Sequence, residues 1–194
     1  LQNNFPRLIK AYLKVNHYTF LITIPIIIGY IYNAELFISV IYGEKWLNAV
    51  LLSQILLSGT LINSIISKGT SVFLAIGRSD ISTKIELMIF FPLIVALIIS
   101  AKIGLITFIL VLVSSTLVEL IIQYIFFYSI LKLNFLKFLN TMKTPLQGST
   151  VMVFMIFILK DFILLNFSSL MSLLTIIIIG GLTYAVTIYF LEKK

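Results

Sequence analysis

The sequence predicts an all-α membrane protein: a polytopic bundle of six transmembrane helices occupying residues 1–194 as one transmembrane domain. Three observations carry this. Hydrophobic residues make up 60% of the chain and charged ones 11%, with a mean hydropathy of +1.15; soluble domains hold about 25% charge. The apolar residues fall into six runs, each near the ~20 residues that a helix needs to cross a bilayer. The runs lack the two-residue alternation of barrel strands, and in lipid only a helix pairs its own backbone groups within one segment.

The elements follow in order. Residues 5–15 form an amphipathic surface helix: Phe5, Leu8, Ile9, Tyr12 and Leu13 recur at helical spacing, with Arg7, Lys10 and Lys14 on the other face. Pro6 suits a first helical turn. The three cations are expected to meet lipid phosphates at the membrane surface; the plainer reading is an ordinary elbow. The spans are placed at about 17–41, 47–76, 85–101, 104–131, 146–165 and 169–191. Between them lie turn-forming clusters: Gly43-Glu44-Lys45, Gly77-Arg78-Ser79-Asp80, Lys102-Ile103-Gly104, Lys143-Thr144-Pro145 and Asn166-Phe167-Ser168. A second amphipathic piece, 133–143, precedes the fifth span. His17, beside Tyr18, reads as part of an interfacial aromatic belt.

Charge sets the orientation. The ends and even-numbered loops hold Arg7, Lys10, Lys14, Arg78, Lys84, Lys132, Lys137, Lys143, Lys193 and Lys194. The odd-numbered loops hold only Lys45, Lys102 and Lys160. The positive-inside rule therefore puts both ends in the cytoplasm. The same distribution explains the net charge of +7 without nucleic acid, for there is no basic stripe and no aromatic platform. The chain opens on Leu1 with neither an n-region nor a cleavage site, so no signal peptide is expected and the sequence reads as a piece of a longer protein.

Enzyme chemistry is not expected. There is no cysteine and one histidine, and no phosphate loop, nucleophile elbow, paired-carboxylate motif or metal-ligand spacing stands out, so no cofactor is expected. The second span is polar: Gln54, Ser58, Thr60, Asn63, Ser64, Ser67, Lys68, Thr70 and Ser71, with Gly59 and Gly69 as points of close approach. It either lines a cavity or packs in the bundle centre. Lys68 and Glu119 lie inside spans, at depths of roughly 15 and 20 Å from helical rise. A charge at mid-bilayer costs about 2.5–3.5 kcal/mol on insertion scales. The expectation is that the two share one interior cavity, pairing with each other or alternating between pairing and cargo; a purely structural ion pair is the alternative. Lys68, Glu119, Asn63, Ser64 and Gln54 are thus the candidate cavity residues. Pro25, Pro92 and Pro145 are able to kink or begin helices.

The order of motifs is informative in itself. FPRLIKAYLKV leads into TIPIIIGY, then YGEKWLNAV, the polar span, LAIGRSD and AKIGLITF. This succession resembles the C-terminal part of polysaccharide flippases of the Wzx type, exporters of the MOP superfamily. It extends over about residues 5–135; the last two spans agree in number and spacing alone. The resemblance implies a MOP/MATE-like C-terminal portion, spans nine to fourteen of a two-lobe protein in a bacterial inner membrane. It implies that an undecaprenyl-pyrophosphate-linked oligosaccharide is moved by alternating access for O-antigen, capsule or exopolysaccharide synthesis. Its implied partners are membrane lipids, the lipid-linked oligosaccharide and a missing N-terminal part of the same chain. The family more often carries uncharged polar residues at the positions of Lys68 and Glu119, so an opposite-charge pair is a departure here. The alternatives are a cation-coupled multidrug exporter of the same superfamily, or a membrane enzyme of polysaccharide assembly. The short periplasmic loops speak against the enzyme.

Overall fold

The computed structural model describes residues 5–193. Lys194, counted above among the cytoplasmic charges, and the side chain of Ser67 lie outside the described residues. Six long α-helices follow one another: α1 (Phe5–Ile41), α2 (Val50–Ala75), α3 (Ser79–Ile103), α4 (Leu105–Leu131), α5 (Phe135–Asn166) and α6 (Ser169–Glu192). A short 3₁₀ helix, Glu44–Ala49, leads into α2, and no strand occurs among the described residues. All six helices, α2 together with its 3₁₀ lead-in, are long and apolar enough to cross a membrane.

The boundaries differ from the sequence reading at three places. The surface segment 5–15 and the first span form one continuous helix, α1, because no helix breaker separates them. The second amphipathic piece likewise runs on into the fifth span as α5, with Pro145 inside. The third helix starts at Ser79, not near 85, taking in a polar first turn with Asp80 where the helix dipole favours acid.

The chain divides into two compact units. The first takes α1 as far as Thr19 together with Ile55–Leu139. On the apolar face of the N-terminal segment Tyr12 is buried, Leu8, Ile9 and Leu13 are half-buried and Phe5 is exposed. Tyr12 stacks on Phe127, with ring centroids 5.0 Å apart, and Phe127 meets Phe73 at 4.9 Å. Phe138 completes the cluster. Arg7, Lys10 and Lys14 stay exposed on the opposite face, as the 3.6-residue period requires. The turn into α3 is a Schellman motif: Gly77 N–H reaches Leu74 O, Arg78 N–H reaches Phe73 O, and Gly77 sits at φ +75°, where a Cβ would be strained. Arg78 in this turn hydrogen-bonds Asp80, which also pairs with Lys84 one turn further along α3, and the Arg78 hydrogen bond holds the Asp80 carboxyl below its ordinary value. After α4 the chain passes through Lys132 in the left-handed region and restarts at Asn134, whose Oδ1 accepts the Leu136 N–H as an N-cap.

The second unit takes Phe20–Gln54 with the chain from Asn140 onward. Its core is Met152, Ile156, Ile163 and Ile176, with Tyr32, Leu36 and Tyr184 around it. Within it α1 is disturbed twice. Pro25 has no N–H for the Leu21 carbonyl four residues earlier; Tyr184 Oη donates to that carbonyl instead, at 2.7 Å. At Asn33 the backbone leaves helical geometry, at φ −115° and ψ 18°. Two carbonyls of the turn before it take side-chain amide donors: Gly29 O from Asn33 Nδ2 at 3.0 Å and Ile31 O from Gln54 Nε2 at 2.8 Å. Polar side chains thus repair a proline-disturbed helix where lipid cannot.

Candidate functional site

The candidate residues fall in both units. Lys68, Asn63 and Ser64 (α2) and Glu119 (α4) belong to the first; Gln54 belongs to the second. Lys68 is half-buried and its ammonium donates to Ser64 O, one turn back, at 2.9 Å. That contact is a local way to hold a lysine inside a helix, since an ammonium has three donors and no acceptor. Ser64 Oγ in turn donates to Leu61 O. Asn63 lies exposed one residue earlier.

Glu119 is half-buried on α4. No salt bridge joins it to Lys68 among the described residues. The direct ion pair anticipated from the sequence is therefore absent from this arrangement, and one sequence-level reason is plain: intrahelical depth gives height along the bundle but not the rotation of each helix. Gln54 bonds the backbone of α1, its Nε2 donating to Ile31 O at 2.8 Å.

Arg7, Lys10 and Lys14, the residues expected at the membrane surface, are exposed. Lys14 lies over the Tyr18 ring at 5.8 Å, and His17 and Tyr18 have ring centroids 5.9 Å apart. At the other end of α1, Tyr42 and Trp46 are both exposed with rings 6.4 Å apart, an aromatic pair suited to a membrane–water boundary. Lys160 covers the Tyr32 ring at 4.9 Å. No group of three or more metal-ligating side chains occurs among the described residues.

Sequence reasoning passed over three buried amides. Gln123 joins α4 to α2: its Nε2 donates to Ile66 O at 3.0 Å and its side chain lies directly over Gly69. Asn16 is fully buried, its Nδ2 on Tyr12 O. Asn33 marks the break in α1. Gln123 and Asn33 are lone amides in largely apolar runs, the signal that could have found them; Asn16 stands among Lys14, His17 and Thr19 and carries no such signal.

Comparison with known proteins adds one finding. Residues 1–51 match the model of a family described as polysaccharide biosynthesis protein. The matched stretch holds the surface segment, the first span and the YGEKWLNAV motif; LAIGRSD and AKIGLITF lie beyond it. No curated protein and no solved structure matches the chain. The match and the six apolar helices together fit a membrane protein of polysaccharide synthesis.

Proposed function

We propose that this chain belongs to an exporter that turns an undecaprenyl-pyrophosphate-linked oligosaccharide from the cytoplasmic to the outer leaflet of a bacterial inner membrane, with both ends of the segment in the cytoplasm. The observation that carries the reading is the match to a polysaccharide-biosynthesis family in a chain built of membrane-length helices. A chain of this make-up suits the handling of a product of that synthesis within or across the bilayer, and among the described residues the segments between the helices are short.

Lys68 is the residue proposed to meet the cargo. A cation inside a span is costly unless a partner or a task offsets it, and pyrophosphate oxygens are strong acceptors for an ammonium. Asn63 and Ser64 flank it. Glu119, half-buried on α4 and without a salt bridge to Lys68 among the described residues, is the group proposed to take a cation or a proton during transport. A preceding lobe of the same protein, membrane lipids and the lipid-linked cargo are the partners this reading requires.

The test is genetic and chemical. Deleting the reading frame in its host should abolish surface polysaccharide and leave lipid-linked units accumulating on the cytoplasmic leaflet. The intact gene and Lys68→Arg should restore export. Lys68→Met, made at wild-type level in the membrane, should export about ten- to a hundredfold less, the loss of one charge-assisted hydrogen bond. Units that reach the outer leaflet but stay unpolymerised would point to an assembly enzyme. Normal polysaccharide with new drug sensitivity would point to a multidrug exporter.

A further inference from the structure

Three lysines of the chain share one arrangement. Lys14 lies over the ring of Tyr18 at 5.8 Å, Lys132 over Tyr128 at 5.8 Å and Lys193 over Tyr189 at 5.3 Å, from Nζ to the ring centroid. In each pair the two residues stand four apart on one helix or its cap, the spacing that brings side chains together on one face. All six residues are exposed, the tyrosines at 54%, 58% and 60%. In the third pair the ammonium also donates to the phenol oxygen, at 3.4 Å.

The order within each pair follows the direction of its helix. Lys14 precedes Tyr18 where α1 enters its span; Lys132 and Lys193 follow their tyrosines where α4 and α6 leave theirs. Every lysine therefore lies about 6 Å further along the helix than its ring, on the side away from the apolar span. All three belong to the ten cations of the ends and even-numbered loops. Lys160, from the opposite set, differs: it covers Tyr32 of another helix and is half-buried.

The helix dipole accounts for a lysine at the C-cap of α4 or α6. It accounts neither for Lys14, well inside α1, nor for a tyrosine beneath each lysine. An exposed tyrosine at the end of a span settles at headgroup level, which sets the ammonium one turn further out, among lipid phosphates. There the phenol O–H and the ammonium offer donors to the same phosphate, while the ring face holds the cation near it. We propose that each lysine–tyrosine pair binds the headgroup of an anionic phospholipid, both side chains donating to its phosphate. A zwitterionic lipid brings its own ammonium beside the phosphate and gains less from the pair. The Lys193 pair is the weakest of the three, because Glu192 adjoins it. The proposal concerns the lipid around the chain and holds whatever the chain transports.

The test is native mass spectrometry of the full chain in detergent, titrated with dioleoylphosphatidylglycerol or with dioleoylphosphatidylcholine. Phosphatidylglycerol should bind with about fivefold preference at each pair, the worth of one cation at an anionic surface. Lys14→Gln, Lys132→Gln and Lys193→Gln should each remove one preferred lipid, Lys193→Gln with the smallest effect, and the triple variant should show no preference. Tyr18→Leu, Tyr128→Leu and Tyr189→Leu together keep every charge and should still weaken the preference at each pair. Lys45→Gln with Lys102→Gln should leave it unchanged. All the substituted side chains are exposed, and an unchanged unfolding midpoint in lipid-free detergent shows that each variant is folded. Equal binding of the two lipids, a preference that survives the triple lysine variant, or a triple tyrosine variant that binds like the wild type would overturn the proposal.

Discussion

At the residue scale, the tightest point in the first unit is Gly69 under Gln123. A methyl added at Gly69 collides with the Gln123 amide. That amide is 3% exposed and bonded to Ile66 O, so moving it strands two buried polar groups. Gly69→Ala should therefore destabilise the protein by about 1–3 kcal/mol, read as a lower unfolding midpoint in detergent. Gln123→Ala should relieve most of the added cost of Gly69→Ala, a coupling that a double-mutant cycle measures. Gly181→Ala, with open space, is the control and should change little. The sequence indicates that Gly69 is a close-approach point within a polar helix. It could not say what approaches, because the partner lies 54 positions away on α4, and helix rotation is settled by packing.

At the element scale, α1 shows how a proline is tolerated within a membrane-length helix. Pro25 leaves Leu21 O without its usual donor, and Tyr184 supplies one from α6. Tyr184→Phe should cost about 1 kcal/mol. In a Pro25→Ala background the same change should cost much less, since residue 25 then has an N–H of its own for Leu21 O; equal costs in both backgrounds would show that the proline and the tyrosine act independently. Pro25 was readable as a kink site. Its remedy was not, because Tyr184 is 163 positions from the Leu21 carbonyl it bonds and looks like an ordinary interfacial tyrosine near the chain end. The same limit explains Asn33: composition flags a lone amide among isoleucines, but the break in the helix follows from what the neighbouring turns offer. The elements themselves were legible, since the length and apolarity of each run decide helix over strand in lipid. The ends were less so, as the amphipathic pieces 5–15 and 133–143 carry no breaker and run straight into spans.

At the scale of the whole molecule, orientation and function are the open physical quantities. The proposed orientation, both ends in the cytoplasm, rests on ten cations against three. The absence of native cysteine makes a direct check simple: single cysteines at Lys45 or Lys102 should react with a membrane-impermeant maleimide in intact spheroplasts, and those at Lys10 or Lys137 only after permeabilisation. The candidate transport site was legible as a list of in-span charges and not as an arrangement. Lys68 bonds its own helix and makes no salt bridge to Glu119 among the described residues, a geometry that depth along a helix does not encode. What the arrangement does supply is a half-buried cation within a membrane-length helix, in a chain whose first quarter matches a polysaccharide-biosynthesis family. The central claim is therefore one about movement of cargo between leaflets. The most direct measurement is the fraction of lipid-linked oligosaccharide that an impermeant sugar-oxidising reagent reaches from outside spheroplasts. With the intact gene most of it should be reachable, and without the gene it should be protected until the membrane is opened; equal accessibility with and without the gene would contradict the account.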